Sequence, residues 1–471
     1  MRTLRTAGVF ALVAVLPLLA ACGGGGGAGG SLPSTSGVSA PGMPTPAPVT
    51  TTQPTGATPA PIGATPAPTA TPASIASATP APTASPGVST SSTTHILTAD
   101  ILYGYGGTPV STSLSAVKPY VSWVQTDSNY AALIRSAGIK VDVYTNFWRN
   151  YSTDNPNIGY ADLKPGGAHA AAEALDCSGN AIMDPNYGGG YEADARTSAA
   201  AAHAQVVASY RLNEFGGNYD ALFSDDTGAL GGMTLPCNYS QSAYVSATNA
   251  VDESLGVPMF VNTLGAGSYP DGQIGYAQAS NVLGAMCEEC YAAYNSSKID
   301  YVIGGTVWQH TENAEIALVG MHKIFWDYAR AIGDPSGETG LRTFIYASFL
   351  LTYDPSYAML QEAFKSATGF PVMPETGLVP MNPLTTASSV SGYANGSVYM
   401  RQFASCYYRG VGIGACAVVV NPNSTSASIP ANSYAHAMAL SGGGVLDGGS
   451  ASFTAPAVTS LAANSGAVLV Q

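Results

Sequence analysis

Between about residue 100 and residue 360, strand-like and helix-like segments alternate along the chain. The run 139–148, IKVDVYTNFW, is apolar and rich in β-branched and aromatic residues, whereas 192–216 is Ala-rich and ends at a glycine. A strand followed by a helix recurs about eight times over roughly 270 residues, which is the pattern of a (β/α)8 barrel. An open doubly wound sheet is the alternative, but no Gly-rich phosphate-binding turn follows the first strand. The sequence therefore predicts a TIM barrel over residues 95–369.

After about residue 370 the helical pattern disappears. Short strand-like runs such as GSVYMRQF, GIGACAVVVNP and YAHAMAL are separated by Gly, Asn, Ser and Pro. This spacing predicts a C-terminal all-β sandwich domain over residues 370–471.

The first 22 residues have the layout of a secretory signal. Arg2 and Arg5 precede an apolar run, and small residues precede Cys22. The phrase LAAC resembles a bacterial lipobox, which implies cleavage before Cys22 and lipid attachment to its thiol; an ordinary signal with a chance cysteine is the alternative. Because the apolar run is shorter than the ~20 residues that span a bilayer, the lipid would be the only membrane contact. We expect an exported protein that is lipid-anchored to the bacterial membrane, at the outer membrane or cell surface.

Residues 23–94 contain a Gly run followed by recurring ATPAP phrases, which predicts a disordered linker that holds the folded part away from the membrane. The formal net charge of the chain is −13, and no basic run is present. Such a chain is a poor binder of nucleic acid, so we expect no nucleic-acid partner. Few charges together with many Tyr, Asn, Ser and Gly suit a protein that binds neutral polar ligands.

The chain has seven cysteines. With Cys22 lipidated, an even number remains, which favours disulfides in an exported protein. The sequence alone leaves the connectivity open. Proximity along the chain favours Cys287 with Cys290 and Cys406 with Cys416. These two pairs leave Cys177 with Cys237 as the third.

Four carboxylates fall where predicted strands end. Asp225 and Asp226 end the fourth strand in YDALFSDDTG, and Glu288 and Glu289 end the sixth in NVLGAMCEEC. The active site of such a barrel lies at the carboxyl ends of its strands. Two acids on nearby strands form the minimal set for cleaving a glycosidic bond, since one attacks or stabilises and the other donates a proton. Neighbours on a strand point to opposite faces, but the alternation does not show which face is inside.

Aromatic and polar residues near the predicted strand ends supply groups that stack on sugar rings or bond their hydroxyls. We expect the substrate-binding residues to be Tyr105, Trp123, Asn146, Trp148, Arg149, Asn262, Trp326 and Asp327.

YDALFSDDTG, NVLGAMCEEC, RTFIYASFLLTYDPSYAML and the later VYMRQF resemble the hypothetical glycosyl hydrolase 15-like group over roughly residues 98–471. That group is similar in layout to the α-galactosidase-type clan, in which the nucleophile ends strand four and the acid/base ends strand six. The resemblance implies that Asp225 is the nucleophile and Glu288 the acid/base, ahead of Asp226 and Glu289. Glu288 stands where that clan commonly has Asp. A polysaccharide or oligosaccharide is the implied substrate.

Other chemistries have weaker signals. The six histidines lie far apart in the chain, so we expect no metal site, and no cofactor is implied. No G-x-S-x-G elbow is present, which disfavours a serine hydrolase. The acids between Cys287 and Cys290 would raise a thiol pKa, so a structural disulfide is favoured over a redox motif. Two alternatives stay open: the paired acids are solvated strand ends, or the chain is a non-catalytic carbohydrate-binding or scaffold lipoprotein.

Overall fold

The computed structural model describes most of the region that the sequence predicts to be folded. The described residues are 93–102, 110–153, 158–184, 189–228, 235–267, 273–295, 297, 299–364 and 372–471. Cys22 with the predicted signal, nearly all of the predicted linker 23–94, and Tyr105 lie outside them, so those expectations stay predictions. Within these ranges no helix is both long enough and apolar enough to cross a membrane.

Eight parallel strands close into a barrel with helices around it. The strands of this region, insertions included, are β1 (Leu97–Leu102), β2 (Trp123–Thr126), β3 (Lys140–Thr145), β4 (Arg149–Tyr151), β5 (Met183–Asp184), β6 (Gly190–Glu192), β7 (Ala221–Ser224), β8 (Met259–Gly265), β9 (Val282–Glu288), β10 (Ala292–Tyr294), β11 (Asp300–Val302), β12 (Ile324–Ala331) and β13 (Ala358–Phe364). The helices are α1 (Val110–Val117), α2 (Ser128–Ser136), α3 (Ile158–Leu163), α4 (Ala200–Phe215), α5 (Gln241–Leu255), α6 (Gly305–Gly320) and α7 (Thr339–Thr352). The barrel order is β1–β2–β3–β7–β8–β9–β12–β13, and β13 pairs with β1. The predicted (β/α)8 barrel is confirmed.

Glycines end two of the helices, and the sequence predicts the stop at Gly216. α4 stops at Gly216, φ 55°, and α5 stops at Gly256, φ 64°. Glycine adopts this left-handed conformation without a steric penalty, which lets the chain turn into the next strand.

Two insertions follow barrel strands at their carboxyl ends. β4, β5 and β6 form an antiparallel sheet between β3 and α4, and β10 with β11 forms a hairpin between β9 and α6. The first insertion corrects the predicted helix over 192–216. Gly190–Glu192 pairs with β4 as a strand, so the helix begins only at Ala200.

The barrel interior is a packed apolar core. The Trp326 ring meets both Phe223 and Phe260 edge to face, with ring centroids 5.4 and 5.3 Å apart. Leu222, next to Phe223, packs instead in the outer core between the barrel and its helices. This alternation identifies the inward row of β7 as Ala221 and Phe223, which Asp225 continues.

The C-terminal region is antiparallel. Its strands are β14 (Leu378–Pro383), β15 (Ala394–Asn395), β16 (Val398–Tyr408), β17 (Val411–Asn421), β18 (Ala427–Ser428), β19 (His436–Ser441), β20 (Ser450–Pro456), β21 (Ser460–Leu461) and β22 (Ser465–Val470). The large sheet has the order β14–β16–β17–β22–β19–β20, with β15 against β16. One face packs on α7 and the other on the small β18–β21 sheet. This agrees with the predicted β-sandwich, built here from two sheets of unequal size.

α7 joins the barrel and the large sheet. Its apolar side chains share one core with Leu360 of β13 and Val418 of β17. The fully buried Arg342 of α7 pairs with Glu375 and also donates to the carbonyl of Gly442 at 2.7 Å. A guanidinium this deeply buried is stabilised only when its donors are satisfied, so this pair fixes α7 against the sheet.

Candidate active site

Asp225 and Glu288 lie at the carboxyl ends of neighbouring parts of the barrel wall. Asp225 follows β7 directly, Glu288 is the last residue of β9, and β8 runs between them. Glu288 continues the row of Gly284 and the interior residue Met286, just as Asp225 continues the inward row of β7. Both side chains therefore point toward the barrel axis at the rim where active sites of this fold lie.

Asn262 of β8 holds the two carboxylates together. Its amide nitrogen donates to Oδ1 of Asp225 at 2.7 Å and to Oε2 of Glu288 at 3.2 Å. Those two oxygens are therefore at most about 6 Å apart. All three residues are buried.

Further hydrogen bonds orient Asp225. The hydroxyl of Tyr144 donates to its Oδ2 at 2.8 Å, and the backbone N–H of Asp226 donates to its Oδ1 at 2.9 Å. These donors, with Asn262, stabilise a carboxylate and fix its rotamer.

Glu288 has a different electrostatic environment. Burial raises its pKa to about 7; Arg330 opposes this rise, and the charge of Asp225 adds to it. The Arg330 guanidinium bonds Oε1 of Glu288 and lies 3.4 Å from Oε1 of Glu289. Glu288 therefore exchanges a proton near neutral pH, as a general acid and base must.

Asp226 belongs to a separate network. Its φ of 52° turns the chain out of the strand. Its carboxylate accepts from Asn146 at 2.9 Å and lies 3.2 Å from Nη1 of Arg149. Burial, and next the charge of Asp225, raise the pKa of Asp226 well above its usual range. Asp226 is therefore the weaker candidate for an ionised nucleophile.

Arg149 connects that network to the first insertion. Its guanidinium lies 3.5 Å from Asp184 of β5 and 3.7 Å from Glu192 of β6. Tyr151 of β4 also donates to Asp184 at 2.9 Å. The small sheet is thereby held against the side of the site that carries Asp226.

The structure brings some of the predicted binding residues to the acids and places others elsewhere. Asn146, Arg149 and Asn262 contact the carboxylates. Trp148, which the sequence predicts to bind sugar, is buried against Phe147 in the outer core.

Trp123, Trp326 and Asp327 also require correction. Trp123 is the first residue of β2 and faces Lys140, the first of β3, so it lies at the opposite end of the barrel from the acids. Trp326 is fully buried inside the barrel, and Asp327 is buried on its outer side, where the charge of Glu315 of α6 acts on it. Trp123 and Trp326 face the filled interior of the barrel, and Asp327 faces the helices because strand neighbours alternate.

Sequence reasoning missed Tyr144 and Arg330. Tyr144 pairs with Phe223 across β3 and β7 and lies inside the predicted third strand 139–148, which in the structure ends at Thr145. The sequence predicts a seventh strand over 321–329, MHKIFWDYA, so Arg330 falls just outside it, whereas β12 continues to Ala331. The signal that could have found Arg330 is a charged residue at the carboxyl end of a strand that runs two residues further than predicted.

The six remaining cysteines pair as Cys177–Cys237, Cys287–Cys290 and Cys406–Cys416. The first pair ties the insertion to the segment after β7, and the second brackets Glu288 and Glu289. In the described part of the chain, no group of three or more His, Cys, Asp or Glu residues is placed to hold a metal ion.

No protein-family profile and no curated protein matches the chain. Solved structures do match. The glycoside hydrolase domain of PelA from Pseudomonas aeruginosa is 12% identical, with 57% of this chain and 95% of that chain covered and a TM-score of 0.39. Ega3 from Aspergillus fumigatus, in complex with galactosamine, is 13% identical, with 58% and 92% covered and a TM-score of 0.35. A Flavobacterium johnsoniae GH31 dextranase is 10% identical, with 80% and 51% covered and a TM-score of 0.41.

The first and the third of these are glycoside hydrolases. The resemblance to the 15-like group stays a prediction.

Proposed function

We propose that the chain is a retaining glycoside hydrolase with Asp225 as nucleophile and Glu288 as acid/base. One observation carries this: a single amide nitrogen of Asn262 bonds both carboxylates. This limit of about 6 Å applies to Oδ1 of Asp225 and Oε2 of Glu288, and it supports a carboxyl separation near the ~5–5.5 Å of retaining enzymes rather than the ~6.5–9.5 Å of inverting ones.

In the first step, an oxygen of Asp225 attacks the anomeric carbon while Glu288 gives its proton to the glycosidic oxygen. The bond from the anomeric carbon to that oxygen breaks, and the leaving sugar departs as an alcohol. A covalent ester with Asp225 remains.

In the second step, Glu288 takes a proton from a water molecule, whose oxygen attacks the anomeric carbon. The ester breaks, Asp225 returns to its carboxylate form, and Glu288 is again protonated. A pKa of about 7 suits Glu288 for both roles, because it neither holds nor loses its proton too strongly at neutral pH.

The proposed substrate is an exopolysaccharide or cell-wall glycan, and the proposed location is the cell surface, with a lipid on Cys22 as the anchor. The signal-like first 22 residues and the Pro-rich linker support this part.

Activity of the purified protein should be measured as new reducing ends on bacterial polysaccharides, including dextran and a galactosamine polymer. Asp225→Asn should lower the rate by about 10³-fold or more. Glu288→Gln should lower kcat/KM on natural glycans but far less on aryl glycosides with acidic leaving groups, while kcat falls on both because Glu288 is also the base of the second step. Asp447→Asn, on the exposed surface of the C-terminal region, is the matched control. Full activity of Asp225→Asn would refute the assignment.

One observation favours the non-catalytic alternative. The Arg330 guanidinium bonds Glu288 and so stabilises its ionised form, which cannot donate a proton. If glycans bind but no variant or wild-type protein releases reducing ends, the carbohydrate-binding reading replaces the enzymatic one.

A further inference from the structure

The face of the β10–β11 hairpin that meets the barrel rim carries Tyr294 and Asp300. These two residues pair directly across the hairpin, so their side chains lie on the same face. The two carboxylate oxygens of Asp300 each accept a backbone N–H at 2.7 Å, from Ile332 and Gly333 just after β12. The hairpin is therefore held against the carboxyl end of the strand that carries Arg330.

The base of the hairpin is fixed as well. The backbone N–H of Ile303, just after β11, donates to the carbonyl of Tyr291, just before β10, at 2.8 Å. Tyr291 is fully buried, and its hydroxyl donates to Oε2 of Glu315 of α6 at 3.1 Å. Because the hairpin is attached both at its base and at Asp300, the barrel sets the position of Tyr294.

Tyr294 contacts the guanidinium of Arg330 in two ways. Its hydroxyl oxygen accepts a hydrogen bond from Nη2 at 3.1 Å, and its ring centroid lies 5.5 Å from the central carbon of the guanidinium. The ring centroid of Tyr328, also in β12, lies 5.7 Å from the same carbon. Both distances are within the ~6 Å at which a cation is attracted to an aromatic ring. The two tyrosines therefore hold the guanidinium in place.

The other terminal nitrogen of Arg330 faces the acids. Nη1 bonds Oε1 of Glu288 and lies 3.4 Å from Oε1 of Glu289. A guanidinium is planar and rigid, so the hydrogen bond that fixes Nη2 also fixes the direction of Nη1. Without that hydrogen bond, the long side chain of Arg330 regains rotamers in which Nη1 leaves Glu288.

We propose that Tyr294 is a positioning residue for the acid/base: it keeps the guanidinium of Arg330 on the carboxyl group of Glu288. The name acid/base rests on the proposed function. The contacts that lead from Tyr294 through Arg330 to Glu288 do not depend on it.

Loss of this position should raise the pKa of Glu288. Burial raises that pKa to about 7, and Arg330 opposes the rise. Asp225, Asp226 and Glu289, when ionised, disfavour the ionised form of Glu288. A substitution in the hairpin leaves those three carboxyl groups in place, so its effect on Glu288 should go through Arg330.

Urea unfolding between pH 5 and pH 9 tests the proposal. The stability of each protein is compared with that of its Glu288→Gln form, and the pH above which the difference becomes constant is the pKa of Glu288 in the folded state. Tyr294→Phe keeps the ring and removes the acceptor for Arg330, so this pH should rise by roughly 0.5 unit. Tyr294→Ala should raise it by about one unit, as Arg330→Gln does. Tyr301→Phe, which removes a hydroxyl from the other face of the same hairpin, is the control.

The Arg330→Gln background separates positioning from a general loosening of the site. In that background, Tyr294→Phe and Tyr294→Ala should not move this pH further, because the residue through which Tyr294 acts is gone. The alkaline limb of the pH profile of kcat/KM should move by the same amounts on dextran or a galactosamine polymer, whichever the wild type cleaves.

Three results overturn the proposal: an unchanged pH in both Tyr294 variants, a lowered pH, or an equal rise in the Arg330→Gln background. The unfolding measurement does not depend on activity. Full hydrolytic activity of Asp225→Asn refutes the proposed function, and the unfolding data then still decide whether Tyr294 positions Arg330. The two ideas can therefore fail separately.

Discussion

Glu288 should weaken the folded state as pH rises, and replacing it should remove that effect. Its pKa is about 7 in the folded protein, against an ordinary value of 4.5. The folded state therefore binds the proton more tightly than the unfolded state. The stability that this proton contributes is complete below about pH 4.5 and is lost as pH rises to about 7, after which the effect is constant.

The size follows from the shift. A difference of about 2.5 pKa units corresponds to about 3 kcal/mol at about 1.4 kcal/mol per unit. Part of this change occurs below pH 5. Between pH 5 and pH 8 the contribution of Glu288 to the free energy of unfolding should therefore fall by roughly 2–3 kcal/mol. Glu288→Gln removes the titration. The attraction of Arg330 for ionised Glu288 is already contained in the pKa of about 7, and the neutral amide of the variant resembles the protonated acid.

Urea unfolding of wild type and Glu288→Gln at pH 5 and pH 8 measures the effect. The stability of the variant relative to wild type should rise by roughly 2–3 kcal/mol between the two pH values. Glu214→Gln, in an exposed ion pair on α4, is the control. If wild type and Glu288→Gln respond equally to pH, the carboxyl group of Glu288 does not titrate as the structure indicates.

Three further predictions concern the site, the anchor and the disulfides. Arg330→Gln removes a cation that favours ionised Glu288, so the alkaline limb of the pH profile of kcat/KM should move up by about one pH unit. Arg330→Lys keeps the charge and should leave the limb close to its wild-type position. An unmoved limb in Arg330→Gln would contradict the role of Arg330. Cys22→Ala should shift the protein from the membrane to the soluble fraction, and unchanged detergent partitioning would count against the lipid. A non-reducing peptide map should find three linked pairs, 177–237, 287–290 and 406–416. Free thiols at these positions would contradict them.

The barrel and the two strand-end acid pairs could be predicted because both follow from local pattern. Strand and helix periods are read from neighbouring residues, and a run of apolar residues that ends in Asp225 marks a strand end without knowledge of the fold. The predicted roles of Trp123 and Trp326 were wrong for a related reason. A large ring near a strand gives no sign of whether it faces the barrel interior, and both lie there.

What the sequence by itself determined is the order of strands and helices, and with it the barrel and the positions of the acids along the chain. Only the tertiary structure decided which side chains meet. Strand order sets Asn262 between Asp225 and Glu288, and the pairing of Tyr328 with Glu288 brings Arg330, two residues further along β12, against the acid. The physical reason is that these contacts join residues 26 to 42 positions apart in the chain, and no local periodicity records strand register.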